Sequence, residues 1–198
     1  MTPADFIAKW GPGGSAHALS ERAGAQPHFI DLCRLLGVPE PGAVPGEDYV
    51  FEQHTLLLGE ARGYADVYWR NRFAWENKAP GKNLDAALRQ LQQYSLALSN
   101  PPLLVVCDLN TIRIKTNFTN TVQQTYEVTL ADLDGFNTAR GVSNLVMLSK
   151  MWTDPEWFRP HTNPDEVTID AAKRFSEIAR GLHERGTHPE SAAHFLVQ

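Results

Sequence analysis

The residues best equipped for chemistry are Asp66 and the tripeptide Glu76-Asn77-Lys78, spaced as Asp-x9-Glu-x-Lys. Two carboxylates converging from neighbouring strands make a hard-oxygen site suited to Mg²⁺, with Mn²⁺ able to substitute. The main-chain carbonyl of Asn77 can supply a third oxygen. A divalent ion held there would polarise a phosphodiester, lower the pKa of a bound water and neutralise charge in the transition state. Lys78 follows Glu76 by two residues, so on a strand its ammonium leaves the same face as the carboxylate. It can then orient or deprotonate a water, or stabilise phosphorane charge. Further along, Gln90-x3-Tyr94 places an amide and a phenol one helical turn apart. Gln90 is expected to hydrogen-bond the strand bearing Glu76, and Tyr94 to reach a phosphate or a carboxylate of the site. The plain alternative is a solvent-facing cross-strand salt bridge for the first three residues, with a core Tyr94 and a rim Gln90.

These side chains need a hairpin to bring them together. Asp66 and Glu76 are symmetric about Asn71, so a three-residue loop, Arg70-Asn71-Arg72, sets them opposite each other on one face. A two-residue turn would put them on opposite faces. The β-rich runs at 64–69 and 73–78 supply the two arms, after strand pieces at 49–51 and 54–58. Asn83 caps a helix over 84–98, whose stripe is Leu84, Ala87, Leu88, Leu91, Tyr94, Ser95 and Leu98. The apolar run 103–107 reads as a strand covered on both faces, 111–116 alternates, and 122–129 reads as an edge strand.

Upstream, Thr2, Pro3 and Asp5 open a short helix through about Trp10. A helical pattern over 15–36 follows, with Pro27 opening a second segment that Gly37 stops. After about Asp132 the pattern is helical again, including 170–184. Helix, three strands, helix, strand, strand is the order of an α/β core with a mixed sheet. The apolar ending Phe195-Leu196-Val197 carries no cap signal and reads as the cut end of a longer polypeptide.

Composition narrows the class. The chain has 198 residues, 42% hydrophobic and 21% charged, as in ordinary globular proteins. It has neither a secretory leader nor an apolar run of bilayer length, so no membrane partner is expected and the location is read as cytoplasmic. Cys33 and Cys107 lie among aliphatics and read as reduced, buried thiols. The seven histidines show no zinc-type spacing, GPGGS lacks the Lys-Ser/Thr of a phosphate loop, and Asn100-Pro101-Pro102-Leu103 reads as a helix-to-strand turn. A net charge of -5 is unlike a protein that grips nucleic acid with its whole surface. Either another domain does the gripping or cations gather locally, as Arg70, Arg72, Lys78, Lys82, Arg89, Arg113 and Lys115 would.

Asp66…Glu76-Asn77-Lys78 followed by Gln90-x3-Tyr94 resembles the QxxxY branch of the PD-(D/E)xK nucleases. More closely, HFIDLCRLLGVPEP and the run from GYADVYWRNRFAWENK to NTIRIKTNFT resemble the N-terminal endonuclease domain of MmeI-like (type IIL) restriction-modification enzymes. The resemblance covers about residues 21–119, and more loosely the helical remainder. It implies a restriction-endonuclease-like mixed sheet flanked by helices, with an all-helical C-terminal extension. The division would be a nuclease domain over 1–155 and the start of a helical connector over 156–198. It implies a Mg²⁺-dependent endonuclease acting on double-stranded DNA, with Asp66, Glu76 and Asn77 at the metal and Asp66, Glu76, Lys78, Gln90 and Tyr94 as catalytic positions. Glu21 is the counterpart of a first-helix Glu that joins the metal shell in many such nucleases. Ala65 stands where the motif's name has Pro, a change without chemical cost because that Pro ligates nothing. Methyltransferase and target-recognition domains of the same polypeptide would be partners, and S-adenosylmethionine would enter only through them. A catalytically silent module of the same fold, binding DNA or a partner domain, is the alternative.

Overall fold

Local signals set the first two helices. A computed structural model of the chain describes residues 1–17, 19–56 and 62–160. In helix α1 (Pro3–Trp10), the Thr2 hydroxyl accepts the Asp5 N–H at 3.2 Å and the Asp5 carboxylate accepts the Thr2 N–H at 3.0 Å. This reciprocal cap frees α1 to bury Phe6 and Trp10. Helix α2 (Glu21–Leu36) starts after Ser20 and ends at Gly37, which takes the left-handed φ of 65°. The expected helix from residue 15 begins six residues later, and Pro27 lies inside α2 instead of opening a new segment. A proline in the second turn removes one donor to the carbonyl four residues back. Burial of the face that follows, His28, Phe29, Leu32 and Cys33, carries the helix through that defect.

Six strands form one sheet: β1 (Tyr49–Leu56), β2 (Arg62–Trp69), β3 (Phe73–Asn77), β4 (Leu103–Cys107), β5 (Thr111–Thr116) and β6 (Thr125–Thr129), in sequential order. Every neighbouring pair is antiparallel except β3 and β4. Two parallel neighbours need a crossover, and helix α3 (Leu84–Tyr94) provides it. The expected mixed α/β sheet is therefore present. The two strand pieces read at 49–51 and 54–58 are one strand as far as Leu56, broken at Glu52. That residue has φ 55° and stands opposite Asp66 between the pairs Phe51↔Val67 and Gln53↔Ala65.

The parity of β3 separates two cores. Phe73 and Trp75 join Val67, Trp69, Leu103 and Val105 against Phe6, Phe29 and Trp152. Ala74 joins Tyr68, Leu104 and Val106 beneath Leu84, Ala87, Leu88 and Leu91 of α3. Cys33 and Cys107 are free and buried, and burial pushes both thiols up to about 12. Helix α3 ends at Tyr94, four residues short of the expected end. Both the hydroxyl and the N–H of Ser95 bond the Gln92 carbonyl (2.8 and 3.3 Å), tightening the last turn.

Past β6 the continuous helical pattern is corrected. A 3₁₀ turn (Leu130–Asp132) leads to a short ribbon of β7 (Phe136–Asn137) and β8 (Val142–Ser143), then to helix α4 (Asn144–Thr153) and a second 3₁₀ turn (Pro155–Phe158). Turn chemistry overrode the helical spacing: Gly141, at φ 68°, donates its N–H to the Asn137 carbonyl at 2.8 Å. The chain divides into the units Met1–Pro160 and His161–Gln198, and the helical expectation for 161–198 lies outside the described residues. Among the described residues, no helix is long and apolar enough to cross a membrane.

Candidate active site

The β2–β3 connection is the three-residue loop that the spacing required. Trp69 pairs with Phe73, the Arg72 N–H bonds the Trp69 carbonyl at 3.0 Å, and Asn71 takes φ 61°. From there the ladder runs through Tyr68↔Ala74 to Val67↔Trp75. The next positions in this register are Asp66 and Glu76, and there the strands part. The Asp66 carboxylate accepts the Asn77 N–H at 2.6 Å in place of a ladder bond. Strand β3 meanwhile stays paired to β4 through Asn77↔Cys107, and the Lys78 N–H bonds the Cys107 carbonyl at 2.7 Å. Main-chain groups alternate sides along a strand, so the peptide groups of Asn77 face β2 and its carbonyl joins the Asp66 side. Trp75 donates its indole N–H to the Asn77 side-chain oxygen at 2.9 Å, which fixes the orientation of that amide.

Into this opening project Asp66, half-buried, and Glu76, only 4% exposed. The Lys78 ammonium donates to Glu76 Oε1 at 2.7 Å, as the two-residue spacing predicted. Glu76 Oε2 is buried and has no hydrogen-bond partner among the described residues. Burial, then the nearby Asp66 charge, push the Glu76 carboxyl up to about 7 against the pull of Lys78. Burial also raises Asp66, although the bonds from Asn77 oppose it. Burial disfavours the Lys78 charge, but Glu76, Glu21 and Asp66 outweigh it and raise its pKa. In the metal-free site these neighbours therefore favour the ammonium form of Lys78.

Glu21, at the start of α2, reaches the same place. Its Oε2 accepts the Ala79 N–H at 2.7 Å, immediately after Lys78. A cavity of about 380 Å³ opens beside Asp66 and Asn77, between α2 and β1, with Glu21, Arg22 and Glu52 in its wall. Sequence reasoning missed Arg22 and Glu52, because only the pairing of β1 with β2 sets Glu52 opposite Asp66. It also missed Asp108, whose carboxylate accepts the N–H groups of Gly81 (3.1 Å), Asn110 (3.2 Å) and Thr111 (2.8 Å). Asp108 thereby ties the loop after Lys78 to the end of β4. The one available signal was an Asp followed by Asn110 and Thr111, the composition of a side-chain-capped turn.

A divalent cation fits this donor set. It would give Glu76 Oε2 the partner it lacks and relieve repulsion among Asp66, Glu76 and Glu21, through oxygens of the kind that Mg²⁺ takes. Among the described residues no group of three or more His, Cys, Asp or Glu is set to hold a metal by itself. The fit relies on Asp66, Glu76 and the Asn77 carbonyl together.

Gln90 and Tyr94 are brought to each other, not to β3. The Gln90 amide donates to the Tyr94 hydroxyl at 3.1 Å on the exposed side of α3. Among the described residues neither side chain bonds Asp66, Glu76 or the strand that carries Glu76, contrary to expectation. The apolar stripe Leu84, Ala87, Leu88 and Leu91 takes the sheet-facing side and turns Gln90 outward. The cation track is corrected too. Arg70 pairs with Asp48 at 2.6 Å, and Arg72 bonds the Trp152 carbonyl and lies over the Trp69 ring, both at the hairpin loop. Arg113 is taken by Asp85 (2.7 Å) and Glu127 (2.8 Å). Lys82, Arg89 and Lys115 form no ion pair among the described residues.

Residues 1–185 match the family described as MmeI, N-terminal domain. No curated protein matches the chain. Among solved structures, one titled "cryoEM structure DrdV-DNA complex" is similar over 92% of this chain at 16% sequence identity, with a TM-score of 0.40. The chain spans 16% of the length of that structure's chain.

Proposed function

The chain belongs to the MmeI N-terminal domain family, and from that premise we propose that it is the Mg²⁺-dependent endonuclease domain of a larger restriction-modification protein, hydrolysing phosphodiester bonds of double-stranded DNA. The observation that carries the reading is the buried, unpartnered Glu76 Oε2 at the point where β2 and β3 part beside Asp66. A solvent-facing cross-strand salt bridge would not bury one carboxylate oxygen without a partner, since such an atom costs about 1–3 kcal/mol.

Bound Mg²⁺ would supply Lewis-acid polarisation of the scissile phosphate and a water of lowered pKa. Asp66, Glu76 and the Asn77 carbonyl would hold it. Asp66 also fixes the Asn77 peptide through its 2.6 Å bond, which sets the direction of that carbonyl. Lys78, whose pKa its acidic neighbours raise, serves as a donor to the attacking water and to phosphate oxygens. In the hydrolysis a water oxygen bonds to phosphorus, the bond to the departing sugar oxygen breaks, the water proton leaves to solvent and the sugar oxygen takes up a proton from solvent. Glu21 holds the Ala79 peptide and with it the start of the loop after Lys78. The methyltransferase and target-recognition domains of the parent polypeptide, with S-adenosylmethionine bound there, would supply DNA recognition, in keeping with a net charge of -5 on this chain.

The intact protein incubated with plasmid DNA and Mg²⁺ should give fragments, and Glu76→Ala or Lys78→Ala should abolish them. Equal cleavage by those variants would refute the reading. The second reading, a silent module that binds DNA or a partner domain, draws on the lack of a self-sufficient carboxylate cluster among the described residues. It predicts no Mn²⁺ binding that depends on Asp66 and Glu76, which calorimetric titration measures.

A further inference from the structure

The charged side chains in the wall of the cavity beside Asp66 are three carboxylates and, among the described residues, one cation. Glu21, Glu52 and Asp66 contribute carboxylates, Gln26 and Asn77 contribute amides, and Arg22 is the single cation among the described residues. Each carboxylate already has a protein donor. Glu21 accepts the Ala79 N–H at 2.7 Å, Glu52 accepts the Gln26 amide at 3.3 Å, and Asp66 accepts the Asn77 N–H at 2.6 Å. Lys78, the other cation nearby, is bonded to Glu76. Arg22 forms no ion pair among the described residues, although three carboxylates share its cavity. An exposed guanidinium without an ion pair among the described residues, amid carboxylates that are otherwise engaged, has donors available to an outside acceptor.

The position of Arg22 indicates which acceptor. It stands in the first turn of the 16-residue α2, next to Glu21, where the helix dipole adds positive potential. The cavity it shares with Asp66 is the size of ordinary small-ligand clefts and admits a sugar-phosphate unit. A DNA strand with its scissile phosphate against Asp66 and Glu76 carries a further phosphate on either side of it, and among the described residues Arg22 is the cation in the adjoining wall. A guanidinium matches a phosphate by paired N–H···O bonds, which a lysine cannot reproduce.

We propose that Arg22 is the phosphate-gripping residue of this site, holding the DNA backbone phosphate adjacent to the one cleaved, and so acting as a positioning residue for the strand. This rests on the nuclease reading given above. Arg22 is exposed and has no ion-pair partner among the described residues, so its replacement should leave the fold intact, which a thermal melt superimposing on wild type verifies.

The test uses the intact protein with plasmid DNA and Mg²⁺ over a series of salt concentrations, comparing wild type, Arg22→Ala, Arg22→Lys and Glu76→Ala. Arg22→Ala should raise KM by roughly tenfold or more with a smaller change in kcat, and should reduce the slope of log KM against log salt by about one, the signature of one lost phosphate contact. Arg22→Lys should restore the salt slope but only part of the affinity. Loss of cleavage in Glu76→Ala with wild-type KM and salt slope in Arg22→Ala would overturn the assignment of Arg22 and leave the nuclease reading standing. Undiminished cleavage by Glu76→Ala would overturn both.

Discussion

The two ends of the β2–β3 hairpin are built on opposite terms. At the loop end polar groups and rings engage one another closely. Tyr49 stacks on Trp69 at 4.1 Å, and Trp152 donates its indole N–H to the Tyr49 hydroxyl at 2.8 Å. Phe73 meets Trp152 at 5.0 Å, and Arg70 and Arg72 are held by Asp48 and Trp152. At the open end the ladder stops, three carboxylates and one ammonium crowd together, and one buried oxygen is unsatisfied. Well-satisfied aromatic packing at one end holds the strands in a register that charge repulsion would loosen at the other. Local strain of this kind persists where the surroundings over-determine it.

Four measurements would break or sharpen that contrast. The largest effect belongs to the open end: Glu76→Ala or Lys78→Ala in the intact protein should lower DNA cleavage by on the order of 10³-fold, the cost of losing one electrostatic stabiliser of a transition state. Cleavage within tenfold of wild type would place the chemistry elsewhere. At the loop end, Phe73→Ala should destabilise the fold by about 3–5 kcal/mol in urea denaturation, because a fully buried ring leaves a cavity among Tyr49, Trp69 and Trp152. A loss below about 1 kcal/mol would mean that this packing does not hold the hairpin.

The third effect is a pH dependence of the metal-free protein. Glu76 has a folded pKa of about 7, above its ordinary 4.5, so between these values the folded state keeps a proton that the unfolded chain has released. The stability that neutral Glu76 contributes is complete below about pH 4.5 and is lost as pH rises through 7. Glu76→Gln, which mimics the neutral acid, should therefore melt a few degrees higher than wild type at pH 8 and close to it at pH 4. A lower melting point for the variant at pH 8 would show that the Lys78 pairing outweighs the burial. Added Mg²⁺ should raise the wild-type melting point at pH 8 and leave Glu76→Gln much less affected. The smallest effect is at α3. Tyr94→Phe, which removes the exposed 3.1 Å bond from Gln90, should change stability by no more than about 0.5–1 kcal/mol. Whether cleavage drops by roughly tenfold or stays constant decides if this pair serves the chemistry.

Most of the frame could be read one element at a time. The continuous apolar run 103–107 is the central strand β4, the alternation at 111–116 is β5, and Asn83 does cap α3, because these features depend only on neighbours along the chain. The readings that failed were those in which a local signal was overruled. Pro27 marked a break that burial of α2 overrode, and the helical spacing after Asp132 yielded to the turn at Asn137–Gly141.

At the site, sequence by itself determined the identity of Asp66, Glu76 and Lys78 and, through the symmetry about Asn71, the loop length that sets the two acids opposite. That much follows from the two-residue period of a strand. Only the tertiary structure decided that the ladder ends just before Asp66 and Glu76, that Glu21 reaches Ala79 across 58 residues, and that Glu52 and Arg22 share a cavity with Asp66. It also turned Gln90 toward Tyr94 and away from β3. Burial, unpaired oxygens and shifted pKa values arise from which distant elements pack together, and no spacing along the chain encodes them.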